Sequence, residues 1–81
     1  MSTLDFISVT QQDVSATFTG MPTNTTILLV NNINRARSGG VSVSGSGTVT
    51  VPLAGVAPGD YFLLADDSSG NFLAQTVVFH V

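Results

Sequence analysis

Very few side chains in this sequence could do acid–base, nucleophilic or metal chemistry. There is one histidine, His80, and five carboxylates, Asp5, Asp13, Asp60, Asp66 and Asp67; lysine, glutamate and cysteine are absent. A Ser–His–Asp arrangement needs a histidine held by a carboxylate and packed beside a nucleophile. His80 stands one residue from the end of a strand-like segment, and no Gly-x-Ser-x-Gly elbow is present to raise a serine. It is expected to be a strand-end polar residue, and the chain is expected not to be an enzyme. Asp66, Asp67, Ser69 and Asn71 surround Gly70 with oxygens that suit calcium. They lack the regular alternation of aspartates and the bidentate glutamate of a calcium loop, and the same residue types serve a hairpin connection. The expectation is a turn, with no metal and no cofactor. Without cysteine there is neither a disulfide framework nor a thiolate site.

The two cations, Arg35 and Arg37, are spaced so that an extended chain points both guanidinium groups to one side. With Asn31, Asn32 and Asn34 they make the most donor-rich loop in the sequence. Residues Asn31 to Arg37 are therefore a candidate ligand loop for a carboxylate, a phosphate or a sugar, the alternative being an ordinary solvated loop. A carbohydrate platform usually exposes tryptophan or tyrosine; here there is no tryptophan and one tyrosine. Gly45 and Gly47 lack the third glycine and following helix of a nucleotide fingerprint. Asn24-Thr25-Thr26 is a glycosylation sequon, relevant only to a chain secreted by a eukaryotic cell. A formal charge of −3 with two cations argues against nucleic acid and anionic membrane as partners.

These residues must be placed by strands. Charged residues make up 9% of the 81 positions, against about 25% in ordinary domains, so solvation rests on Ser, Thr, Asn and Gln. Apolar residues recur with period two. Leu4–Val9 is a first strand; Val14, Ala16 and Phe18 alternate along a second that Gly20-Met21-Pro22 closes; Thr25–Asn31 is a third. Val41 and Val43 mark a fourth and Gly45-Ser46-Gly47 a turn; Thr48–Leu53, Tyr61–Asp66 and Phe72–Val81 complete the set. Seven short strands with Gly, Pro and Asn punctuation predict an all-β fold, a seven-stranded antiparallel β-sandwich with residues 1–81 as a single domain. In the consistent phase, Phe18, Val49, Val51, Tyr61 and Leu63 are expected in the core.

From Val49 to Val81 the chain resembles the C-terminal half of immunoglobulin-like and fibronectin type III-like modules. Leu53, Gly55-Val56, Pro58-Gly59-Asp60-Tyr61, Leu63, Ala65, Asp67, Gly70-Asn71 and Val77-Val78-Phe79 carry the resemblance. It implies an immunoglobulin-like sandwich in which Tyr61 folds back onto the preceding corner. It also implies that the third, sixth and seventh strands share a sheet. Those three are apolar on both faces, at Ile27–Val30, Tyr61–Ala65 and Val77–Phe79. If Tyr61, Leu63 and Ala65 point inward, Phe62 and Leu64 point out. Leu28, Val30, Phe62 and Leu64 are thus a candidate interaction surface, unless a bulge or a covering N-terminal segment intervenes.

The expected function is a non-enzymatic interaction or assembly module of a cell-surface, appendage or virion structure, with a protein partner (itself or a larger assembly). The alternative is a ligand-binding (carbohydrate-binding) module using the Asn31–Arg37 loop. No signal-peptide core is visible, and the expected place is an extracytoplasmic surface or virion.

Overall fold

The computed structural model describes all 81 residues, and every regular element in it is a strand. In chain order these are β1 (Thr3–Val9), β2 (Asp13–Asn31), β3 (Arg37–Pro52), β4 (Asp60–Asp66), β5 (Phe72–Gln75) and β6 (Phe79–His80). All pairings are antiparallel. The fold is all-β with six strands rather than the seven expected.

Both differences in strand count have local causes. Gly20-Met21-Pro22 does not end a strand; β2 runs on for 19 residues and bends there. Gly20 takes φ +66°, and the register with β3 shifts between Phe18 and Met21 and again before Thr25. A bulged strand changes direction without terminating, provided its polar groups find partners. Here the Gly20 N–H donates to Ser46 Oγ at 3.1 Å and Thr25 Oγ1 donates to the Pro22 carbonyl at 2.8 Å. Opposite Met21, Gly45 takes φ +70°, so β3 bends in step, and the Gly45-Ser46-Gly47 turn expected from composition is strand. At the other end, the expected Phe72–Val81 strand breaks between Gln75 and Phe79. Buried Thr76 turns its hydroxyl inward, accepting the Leu63 N–H at 3.0 Å and donating to the Val77 carbonyl at 2.9 Å.

The first half of β2 lies between β1 and the second half of β3; its second half lies between the first half of β3 and β4. β4 pairs in turn with β5 and β6, so Thr25–Asn31, Tyr61–Asp66 and the last segment are neighbours in the sheet. Because β2 and β3 bend together, the inner faces of the two halves meet. Leu4, Val14, Phe18, Val49 and Val51 from one half pack with Ile27, Leu29, Leu63 and Phe79 from the other. Phe6 stacks on Phe79 with centroids 5.3 Å apart, drawing β1 against the end of the chain. Phe18, Val49, Val51, Tyr61 and Leu63 are all buried, as their phase requires.

Tyr61 closes the corner before β4. Its hydroxyl donates to the Ala57 carbonyl at 2.7 Å, four residues upstream. Tyr61→Phe leaves that acceptor without its donor, and the expected loss is about 1–3 kcal/mol in urea unfolding. A neutral result would mean that water replaces the hydroxyl freely.

Candidate interaction site

The register of β2 on β4 sets Val30 beside Phe62 and Leu28 beside Leu64. The four apolar residues singled out from parity are therefore two cross-strand pairs on the outer face, opposite the core residues Leu29 and Leu63. Their exposure differs from expectation. Val30, Phe62 and Leu64 form a second buried cluster, with Phe62 only 4% exposed, and Leu28 is half-buried. They are not an open surface in the isolated chain.

Both cations of the chain make contacts on β4 beside this cluster. The Arg35 guanidinium sits 5.6 Å from the centre of the Phe62 ring, in range of a cation–π contact. Arg37, paired with Val30 on the neighbouring strand, extends to Asp66, its Nη1 donating to Oδ2 at 3.0 Å. The Arg37–Asp66 pair thus ties the start of β3 to the end of β4 across β2. Asp66 keeps only 11% of its side-chain surface exposed and Arg37 keeps 56%. The candidate loop and the candidate surface are thus one structure, the loop acting as its roof.

The loop is internally bonded. Asn31 Oδ1 accepts the N–H groups of Ile33 at 2.8 Å and Asn34 at 3.1 Å, and Asn34 Oδ1 accepts that of Ala36 at 2.8 Å. The Asn31 N–H donates to the Ala36 carbonyl, the Arg35 N–H to the Asn31 carbonyl, and the Asn32 N–H to the Asp60 carbonyl. Asparagine is favoured here because its side chain stands in for backbone acceptors in a turn. Arg35 takes φ +63°, a left-handed conformation that costs an L-residue with a Cβ on the order of 1 kcal/mol. The side-chain amide nitrogens of Asn31 and Asn34 make no intramolecular hydrogen bond, and neither do the Asn32 side chain and the Arg35 guanidinium. Asn31 and Asn34 border a groove of about 380 Å³ whose other walls include Arg37, Ala54, Val56 and Tyr61.

The remaining ionisable groups are dispersed. His80 Nδ1 and Asp60 Oδ1 are 3.0 Å apart across the β4–β6 pair, both exposed, with no hydroxyl bonded to the imidazole. Asp67 Oδ1 accepts the N–H of Asn71 and that of Ser69, each at 2.9 Å, so the Asp67–Asn71 segment is a self-bonded turn. The Asn71 bond, with smaller help from Ser69, holds the Asp67 carboxyl below its ordinary range. Since the folded value lies below the unfolded one, the resulting stabilisation is present above the unfolded value and disappears as pH falls through the folded one. Melting temperature should therefore fall below about pH 4, where carboxylates take up protons, and Asp67→Ala should flatten that fall. An identical acid profile in the variant would remove Asp67 from the acid response.

One feature that the composition conceals is the outer edge of β3. β3 pairs with β2 along its whole length and with no other strand, although its inward valines pack in the core. The available sequence signal is a run without a charged residue from Ser38 to Gly59. Reading Gly45-Ser46-Gly47 as a turn divides that run and hides the edge. Set against family models, curated proteins and solved structures, the chain matches none of them.

Proposed function

We propose that this chain is a non-enzymatic interaction and assembly module of a cell-surface, appendage or virion structure. The observation that carries the reading is the β3 edge, which pairs on one side only and whose Val41–Val51 stretch has no charge, no proline and no bulge of its own. Such an edge is a template for another chain, and proteins that remain monomeric usually blunt it with lysines, prolines or bulges. The scarcity of charge and the Ser/Thr/Gly-rich surface favour a packed, extracytoplasmic setting over a freely diffusing one.

We read the folded-over sheet more finely as an immunoglobulin-like sandwich. Counting each half of β2 and of β3 separately, the pairing order is first–second–fifth in one layer and fourth–third–sixth–seventh in the other. Constant-type immunoglobulin domains pair first–second–fifth–fourth and third–sixth–seventh, so this chain differs in setting its fourth strand beside the third, and the Tyr61–Ala57 bond supports the same reading.

Light scattering of the purified chain tests the assembly reading. An oligomeric mass, a multiple of 8.4 kDa, is expected. A monomer at every concentration overturns it. The groove beside Asn31, Asn34 and Arg37 favours the second reading, a carbohydrate-binding module, for which the sign is a monomer that binds on a glycan array.

A further inference from the structure

The sheet has three free edges, and they are not alike. β1 spans seven residues, is bulged between Phe6 and Ser8, carries Asp5, and lies against β5. The opposite edge is split into β5 and β6, with four and two residues. Short length, bulges and charges are the devices that stop strands from pairing between molecules. β3 has none of them between Val41 and Val51: its partner β2 absorbs the bulges at the bend, and Ser42, Ser44, Thr48 and Thr50 present small hydroxyls to solvent.

Resting on the assembly reading, we propose that β3 pairs with the β3 edge of a second copy of this chain, antiparallel, about a two-fold axis at Gly45. Three observations select that occupant and register. First, β3 bends at Gly45, where φ is +70°; two bent edges stay in step only if their bends coincide, which places the axis there. Second, a two-fold perpendicular to the sheet matches inner face to inner face, so paired residues must share parity. Centring on Gly45 satisfies this: Val41 meets Val49 on the inner face, and Ser42 meets Thr48 and Ser44 meets Ser46 on the outer. Thr and Ser opposite one another are favourable cross-strand pairs, and within the chain Ser15 and Thr50 already make one at 3.4 Å. Third, no charge opposes the pairing: Arg37 at the start of β3 is already bonded to Asp66 within its own sheet, and residues 38–59 carry no charged side chain. A copy of the same strand meets no like charge along the edge.

The experiment uses the full chain and sedimentation velocity across a concentration series. Ser42→Lys with Thr48→Lys sets a lysine opposite a lysine twice at the two-fold; both hydroxyls are exposed and make no intramolecular side-chain bond, so circular dichroism and melting temperature should be unchanged. Wild-type protein is expected to dimerise. The lysine variant should dissociate with a constant raised about tenfold or more, since 1.4 kcal/mol of repulsion makes a factor of ten. The matching Ser42→Asp, Thr48→Asp variant should also be weakened, and an equimolar mixture of the two should recover a heterodimer. Wild-type protein that associates while both variants associate equally well overturns the β3 pairing and leaves the assembly reading standing. A wild-type monomer throughout overturns both. Recovery absent from the mixture overturns the register centred on Gly45.

Discussion

Phe62→Thr combined with Leu64→Thr is expected to unfold most of the protein at room temperature. Threonine suits an exposed strand position, and parity alone makes these two sites look like such positions. Both are buried, however, in the outer cluster with Val30, with Arg35 over the Phe62 ring. Truncating a buried Phe costs about 3–5 kcal/mol and a buried Leu about 2–5 kcal/mol. Together they approach the about 5–15 kcal/mol that stabilises a whole domain. The control is Phe72→Thr, at a phenyl ring 59% exposed on β5, where a change within about 0.5 kcal/mol is expected. Urea unfolding followed by circular dichroism measures both. A double variant that unfolds at the wild-type midpoint would mean that the arginine-covered face is open in solution and free to serve as a docking surface.

Leu63→Ala should be as damaging as either neighbouring substitution, which is unusual for adjacent strand residues. Leu63 is fully buried opposite Leu29 in the inner core, while its backbone N–H is bonded to Thr76 Oγ1 where the last strand breaks. The expected loss is about 2–5 kcal/mol, set by how far the surrounding side chains collapse into the vacated space. A scan along β4 should therefore show losses at Phe62, Leu63 and Leu64 alike, because every residue from Tyr61 to Asp66 is buried. Alternating large and small losses would instead describe a sheet with one wet face.

The arginine roof also explains a local anomaly. Arg35 holds a left-handed backbone conformation that a glycine would adopt at no cost. The contact of its guanidinium with Phe62 offsets that strain by covering an aromatic face otherwise open to water.

What the sequence determined by itself is local. Period-two alternation makes every element a strand and assigns Phe18, Val49, Val51, Tyr61 and Leu63 to the core, since side chains one residue apart must take opposite faces. The same rule places Leu28, Val30, Phe62 and Leu64 together on the other face, and the Pro58-Gly59-Asp60-Tyr61 segment marks the corner that Tyr61 closes. Tertiary structure alone decided whether that second face meets water, because cover comes from whichever element lies across it. Here it is a hairpin loop whose position depends on the register of β2 with β3. It also decided that Gly20 and Gly45 bend strands instead of ending them. A glycine with positive φ permits either outcome, and the choice falls to the partner strand: Met21 and Gly45 pair across the bend, and Ser46 receives the Gly20 N–H. Continuity through those bends is what leaves β3 long, without charge after Arg37 and unpaired on one side.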